Sequence, residues 1–207
     1  MGVSEVERTV DAVADAIEAI GFECTRCGHC CQGLDGDHTA TVFPGEIRTI
    51  EERTDEDWNG IARPMPFGLT EGAGETFEWA LQIDSCGDCT FGSFEDGEHR
   101  CAIYEDRPLI CQTYPFSLAP EADADPPPGV VDREGPVRAH ECEGLGREIS
   151  REKAEALAET LIERTERERD EATGVGDNYR PTDADGVVVF DSEGPKRPDG
   201  TPLDDES

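Results

Sequence analysis

The chain has 207 residues, which is long enough for one domain with a core, and its 49 acidic and 18 basic residues give a formal net charge of −31. Without a basic stripe to displace phosphate counterions, DNA or RNA binding is not expected. No run of residues approaches the roughly 18 apolar positions of a membrane-spanning helix, and the N-terminal residues do not read as a secretory signal. We therefore expect a cytoplasmic protein with neither a nucleic-acid nor a membrane partner.

The acidic residues run through every segment of the chain instead of forming one tail. Arginine occurs 16 times, whereas lysine occurs only at Lys153 and Lys196. A diffuse excess of this kind is typical of cytoplasmic proteins in salt-accumulating halophiles, where concentrated cations screen the charge. The alternative, an acidic module that binds a basic partner, would favour concentrated acidic blocks.

Apolar residues at helical spacing predict a first amphipathic helix over residues 4–20, with Ser4 and Glu7 as a capping box and Gly21 at its end. The helix leads directly into the run Cys24-Thr-Arg-Cys27-Gly-His-Cys30-Cys31, which holds four of the nine cysteines. We therefore expect the helix to anchor this cysteine run to the core.

Two cysteines three residues apart can chelate one metal ion, because a short turn brings both sulphurs to the same side. Gly28 allows the turn after Cys27 to tighten. If the segment is helical instead, Cys24, Cys27 and Cys31 share one face and Cys30 lies at its edge. Neighbouring side chains diverge, so Cys30 and Cys31 can serve two different sites.

The spacing also approaches the Cys-x2-Cys-x2-Cys run of iron–sulphur proteins, whose fourth ligand comes from elsewhere in the chain. Zinc and an iron–sulphur cluster both fit. Buried thiols or disulphides are the competing interpretation, but an odd number of cysteines in a reducing compartment favours metal ligation. His29 and His38 are close enough in sequence to be ligands, although surface or supporting polar roles are the commoner outcome.

Farther along the chain, the pattern predicts a short helix over residues 44–53 and a half-buried strand over residues 76–83. The strand leads to Cys86-Gly-Asp-Cys89, a second Cys-x2-Cys pair with an internal glycine. A turn at residues 95–97 then precedes a second strand that carries Cys101. The expected hairpin would hold Cys86, Cys89 and Cys101 together.

Pro108 starts and Pro115 stops a short helix that carries Cys111. The neighbouring Arg107 either offsets thiolate charge or pairs with an adjacent carboxylate, and the aromatic residues Tyr104, Tyr114 and Phe116 are expected in the core. Residues 119–137 are predicted as a solvated insertion or wide hairpin. A second amphipathic helix follows Ser150 and ends near Gly174, and residues 174–207 are predicted as a mostly disordered acidic tail.

The first cysteine run, together with Cys89 and the segment Cys101-Ala-Ile-Tyr104-Glu-Asp-Arg107-Pro108-Leu-Ile-Cys111-Gln-Thr-Tyr114-Pro115-Phe116, resembles the YkgJ-type cysteine-cluster family of zinc- or iron-chelating domains. The resemblance covers residues 22–146 when Cys142-Glu-Gly144-Leu-Gly146 is counted as the last cysteine element. It implies metal binding by these cysteines. Cys86 is extra to the pattern, so Cys89 is the safer ligand. A related cluster occurs in flagellin lysine N-methylases, which implies that some relatives are enzymes.

Together these observations predict a small, metal-stabilised α+β domain over residues 1–173, with flanking helices and a short antiparallel, hairpin-based sheet. If the metal is zinc, the domain is expected to be a closed structural module. If it is iron, for example in a [4Fe-4S] cluster, the domain could transfer electrons or support a protein-modifying enzyme such as a lysine N-methylase. A thiol-redox role is a further alternative, although no thioredoxin-like context surrounds either pair. No nucleotide-binding loop or Ser/His/Asp arrangement points to an enzyme. The candidate metal ligands are Cys24, Cys27, Cys30, Cys31, Cys86, Cys89, Cys101, Cys111 and Cys142.

Overall fold

The structure is a computed structural model that describes residues 9–33, 38–70, 72–95, 97–119, 129–182 and 185–203. Within these ranges the helices are α1 (Val10–Ile20), α2 (Pro44–Arg53), α3 (Trp58–Ile61), α4 (Leu109–Thr113) and α5 (Arg151–Asn178). The strands are β1 (Thr41–Val42), β2 (Ala62–Pro64), β3 (Gly74–Thr76), β4 (Trp79–Leu81), β5 (Gly92–Glu95), β6 (Glu98–Cys101), β7 (Phe116–Leu118), β8 (Val130–Glu134), β9 (Val137–His140), β10 (Val187–Asp191) and β11 (Gly194–Lys196).

In the described part of the chain the strands form four small sheets, ordered β1-β4-β2, β11-β10-β3, β5-β6 and β7-β9-β8. The strand pairs are antiparallel except for β10 and β3, which are parallel. Helices combined with small, mostly antiparallel sheets confirm the predicted α+β fold class. None of the helices described is both long and apolar enough to cross a membrane.

The chain divides into two compact units, each built from two segments. Unit 1 consists of residues 1–30 and 109–166, and unit 2 consists of residues 31–108 and 167–207. The first boundary falls between Cys30 and Cys31, so the N-terminal cysteine run contributes sulphurs to both units. Of the later cysteines, two belong to unit 1 (Cys111 and Cys142) and three to unit 2 (Cys86, Cys89 and Cys101).

The core of unit 1 is formed by α1, the first half of α5 and the β7-β9-β8 sheet. Its buried members are small or branched apolar residues and one phenylalanine: Val13, Ala14, Ala16, Ile17, Ile20, Phe116, Val137, Ala139, Ala154, Ala158 and Leu161. Helix α1 begins after Thr9, whose hydroxyl accepts a hydrogen bond from the Ala12 amide at 3.2 Å. The predicted cap, Ser4, lies outside the described residues. Gly21, at φ 75°, ends the helix as predicted.

One arginine connects helices α1 and α5 in unit 1. Arg151, the first residue of α5, donates hydrogen bonds to three carboxylates of α1, Asp11, Asp15 and Glu18, and to Glu155 one turn along α5. Exposed ion pairs contribute little singly, but several carboxylates around one cation form a network. In a chain with a net charge of −31, such a network offsets repulsion between two acidic helices.

In unit 2 the strand predicted over residues 76–83 is divided. Thr76 ends β3, which pairs with β10, whereas β4 starts at Trp79 and lies between β1 and β2. Phe77, at the break, is 44% exposed and contacts Tyr179 and Phe190. The turn predicted at residues 95–97 does connect two strands, because Glu95 pairs with Glu98, but the partner of the Cys101 strand is β5.

The sequence predicted a mostly disordered tail after residue 174, and the structure differs. Helix α5 continues to Asn178, and β10 and β11 follow it. The reason is burial: Val188, Val189 and Phe190 are at most 2% exposed. Burial of this short apolar run stabilises β10. A polar network at the end of β10 adds hydrogen bonds to the same strand.

That network is centred on Asp191, which is fully buried at the end of β10. Its Oδ2 accepts hydrogen bonds from the Trp79 indole at 2.9 Å and from the Lys196 ammonium at 2.6 Å. Lys196 is only 5% exposed, so its charge needs this carboxylate and that of Glu193, 2.7 Å away. The network ties β10 and β11 to β4 within unit 2.

Candidate metal centre

The Cys24–Cys27 segment is an irregular loop and not a helix. Arg26 has a left-handed φ of 54° and Gly28 a φ of 80°, and residues 29–31 form a single 3₁₀ turn. A non-glycine residue in the left-handed region is uncommon and marks a tightly constrained loop. Of the two local geometries that the sequence left open, the structure therefore excludes the helix.

A backbone contact within unit 1 brings a distant cysteine to this loop. Phe22 and Leu145 form an antiparallel bridge, the Glu23 amide donates to the Gly144 carbonyl at 3.0 Å, and the Gly146 amide donates to the Gly21 carbonyl at 3.0 Å. These bonds run along the residues that lead from α1 into the cysteine run. They place the loop that carries Cys142 beside the start of that run.

Gly144 makes this close approach possible. A Cβ atom at this position would lie 2.3 Å from the Glu23 carbonyl oxygen and 2.9 Å from the Phe22 ring. The Gly144 amide also points at the Cys142 sulphur, 3.4 Å away. Amide donors of this kind stabilise a thiolate, as in the supporting shell of a metal site.

The charges around Cys142 and Tyr114 identify which sulphurs of unit 1 lie near one another. Burial raises the pKa of the Cys142 thiol; the Gly144 amide lowers it, and the neighbouring Cys27, Cys30 and Cys24 raise it further. Burial, followed by Cys142, Cys30, Glu141 and Cys27, raises the pKa of Tyr114 to about 12. Cys27 and Cys30 therefore lie near both Cys142 and Tyr114, and Cys24 lies near Cys142.

Tyr114 was predicted to be a core residue, but it also has a polar contact. It is half-buried, and its hydroxyl donates to the carbonyl of Glu141, the residue before Cys142. The Tyr114 side chain thus gives the Cys142 loop a further contact within unit 1. Cys111 lies three residues before Tyr114, on α4, and is partly buried.

In unit 2 the second Cys-x2-Cys pair is a tight turn. The Asp84 carboxylate accepts hydrogen bonds from the amides of Cys86 at 2.7 Å and Asp88 at 3.1 Å, and Gly87 has a φ of 87°. The turn places Cys86 in solvent, whereas Cys89 is only 7% exposed. Cys101, at the end of β6, and Cys31 are partly buried.

Two other residues that were considered as site residues have structural contacts. Arg107 donates from Nε to the Tyr104 carbonyl at 2.9 Å and stacks over the Tyr104 ring at 3.8 Å. His29 is exposed and lies 3.8 Å from the Glu143 carboxylate, and the His38 amide donates to the Gly87 carbonyl. Nothing in these contacts assigns either histidine to a metal.

The donor set fits a thiophilic metal. All nine cysteines lie in the described residues and none is joined in a disulphide, so no sulphur is used in a covalent cross-link. Thr25, between Cys24 and Cys27, has a buried hydroxyl without a hydrogen-bond partner, which is a donor available to a neighbouring thiolate. Across the described ranges no three His, Cys, Asp or Glu side chains are already gathered as a metal cage. Binding would therefore draw the sulphurs inward from loops that the backbone contacts already hold close.

Comparison with known proteins gives one match. The family model CxxCxxCC, described as a putative zinc- or iron-chelating domain, matches residues 23–143. The matched range contains all nine cysteines. No curated protein and no solved structure matches the chain.

Proposed function

The chain belongs to the CxxCxxCC family of zinc- or iron-chelating domains, and from this premise we propose that unit 1 binds metal through Cys24, Cys27, Cys30 and Cys142. The observation that carries the proposal is the antiparallel contact of residues 21–23 with residues 144–146. It sets a fourth cysteine beside a Cys-x2-Cys-x2-Cys run. Four thiolates are the donor set of a closed structural zinc site.

As a zinc module, unit 1 would use the metal as a cross-link. The ligands would come from the residues that follow α1 and from the loop between β9 and α5, which the contacts of residues 21–23 with residues 144–146 bring together. Zinc would add the binding energy of four thiolates to the folding free energy of this unit. The expected role is therefore structural chelation that stabilises the loops of the cysteine cluster.

The cysteine spacing favours a second candidate, an iron–sulphur cluster in the same place. Cys24, Cys27 and Cys30 follow the spacing of cluster-binding runs, in which a distant cysteine supplies the fourth ligand. The Gly144 amide, 3.4 Å from the Cys142 sulphur, is the kind of donor that tunes a cluster's potential. Such a cluster would supply one-electron chemistry. The described residues add no observation that favours a lysine N-methylase-like or a thiol-redox role.

We also infer that the protein works in a reducing, salt-rich cytoplasm. Nine cysteines without a disulphide suit a compartment that keeps thiols reduced. A diffuse net charge of −31 is tolerated where concentrated cations screen it.

Metal analysis of protein purified anaerobically in high salt tests the proposal. We expect bound zinc or iron in the full chain, and a loss of thermal stability when a chelator removes it, because metal binding and folding are linked. Iron with acid-labile sulphide and broad visible absorption would select the cluster, whereas colourless zinc protein would select the structural site. A chain without bound metal, whose stability a chelator does not change, would contradict the proposal.

A further inference from the structure

We propose that unit 2 holds a second metal centre, made by Cys31, Cys86, Cys89 and Cys101. The inference rests on the proposed function, since it extends thiolate chelation from unit 1 to another set of sulphurs. It assigns one of the two adjacent cysteines, Cys30 and Cys31, to each centre. Two centres of four sulphurs account for eight of the nine cysteines and leave Cys111 outside both.

The first step of the argument is a hydrogen bond between two of the four cysteines. The Cys89 amide donates to the Cys31 carbonyl at 2.9 Å, so the backbones of these residues are in direct contact. Nearby, the Gly33 amide donates to the Asp88 carboxylate at 2.8 Å, and the His38 amide donates to the Gly87 carbonyl at 2.9 Å. Cys31, Gly33 and His38 thus each have a hydrogen bond to the Cys86–Cys89 turn.

The second step connects Cys89 to Cys101. The Cys89 carbonyl accepts a hydrogen bond from the Gly92 amide at 3.0 Å, and Gly92 is paired with Cys101 across the β5-β6 hairpin. A Cβ atom at Gly92 would lie 2.6 Å from the His99 ring, so a side chain there would require the ring to move. Cys101 therefore lies across the hairpin from the residue that hydrogen-bonds to Cys89.

The third step is the position of Cys86. It precedes Cys89 by three residues in a turn that the Asp84 carboxylate closes with two hydrogen bonds. This spacing lets both sulphurs reach one ion. Cys89 is buried while Cys86 is exposed. The pair would therefore form the side of the centre that faces solvent.

The chemistry of the four donors defines the ligand. Four soft thiolates select zinc, iron or another thiophilic ion over magnesium or calcium. An exposed, unligated Cys86 would be an accessible thiol in solution. Metal ligation would suppress this reactivity, which gives the inference a direct chemical readout.

The test uses the full chain, purified anaerobically in high salt, and combines metal analysis with alkylation by iodoacetamide mapped residue by residue. We expect two centres per chain, and slow alkylation of Cys86 that becomes fast after chelation. The double variant Cys86→Ser/Cys89→Ser should lose half of the bound metal, and Cys24→Ser/Cys27→Ser should lose the other half.

The outcomes distinguish the proposed metal site of unit 1 from the second centre in unit 2. One centre that survives in Cys86→Ser/Cys89→Ser and disappears in Cys24→Ser/Cys27→Ser would overturn the second centre and leave the proposed function of unit 1 intact. One centre that survives in Cys24→Ser/Cys27→Ser and disappears in Cys86→Ser/Cys89→Ser would overturn the unit 1 site and leave the second centre intact. Because a variant can fail to fold, alkylation of the metal-loaded unsubstituted chain decides independently: rapid modification of Cys86 at full metal content would overturn the inference.

Discussion

Replacing Gly144 with alanine is expected to lower the metal affinity of unit 1 by about 10- to 100-fold, the range found when groups that support metal ligands are lost. The new Cβ would lie 2.3 Å from the Glu23 carbonyl oxygen, closer than nonbonded atoms approach. Because the obstacle is backbone, the Cys142 loop must move away. That movement would break the Glu23–Gly144 hydrogen bond and withdraw the Cys142 sulphur from Cys24 and Cys27. Competition with a chelator of known affinity measures the change.

Gly176→Ala is the matched control for this substitution. Gly176 lies in α5, and a Cβ there meets no heavy atom within 4 Å. Alanine in a helix is more favourable than glycine, so metal affinity should stay unchanged and stability should not fall. Equal metal affinity in Gly144→Ala and Gly176→Ala would show that the contact between residues 23 and 144 does not position a ligand.

Removing the Asp191 carboxylate by Asp191→Ala is expected to destabilise the protein by about 3 kcal/mol, the lower end of the cost of breaking a buried ion pair, because Glu193 still faces the Lys196 ammonium. Lys196, 5% exposed, would lose the carboxylate that lies 2.6 Å from its ammonium, and the Trp79 indole would lose its acceptor. Denaturant unfolding monitored by tryptophan fluorescence measures the loss.

Two further variants make the Asp191 result interpretable. Asp185→Ala removes an exposed carboxylate from the same segment and should change stability little. Adding Lys196→Met to Asp191→Ala should recover part of the loss, because the buried charge is then gone. If Asp191→Ala were as mild as Asp185→Ala, residues 187–196 would not be packed into unit 2 as described.

The fold class was predictable because the helices have clear apolar periodicity and end signals. The α2 bounds agree with the prediction, and Gly21 ends α1. The ordered region after α5 was not predictable from composition, since Val187 to Phe190 is a short apolar run within acidic sequence. Its order depends on Trp79 and on the buried Asp191–Lys196 pair, which are contacts between residues far apart in the chain.

The sequence predicted which residues could bind metal, but it did not predict which of these residues lie close together. The spacing of Cys24, Cys27 and Cys30 identifies a metal-binding run, but it does not say which distant sulphur joins it. That information lies in the bridge between Phe22 and Leu145, whose only sequence signal is the pair of glycines that flank Leu145. Tyr114 was likewise predicted to be a core residue because of its aromatic ring, whereas in the structure its hydroxyl donates a hydrogen bond to the loop that carries Cys142.

A comparison of Cys142→Ser with Cys111→Ser tests the unit 1 metal centre most directly. Both cysteines belong to unit 1 and both are partly buried, so the substitutions are closely matched. In the full chain purified anaerobically, Cys142→Ser should lose the metal of unit 1, while Cys111→Ser should keep the metal content of the unsubstituted protein. Retention of metal in Cys142→Ser together with its loss in Cys111→Ser would contradict the assignment of Cys24, Cys27, Cys30 and Cys142 as the ligands.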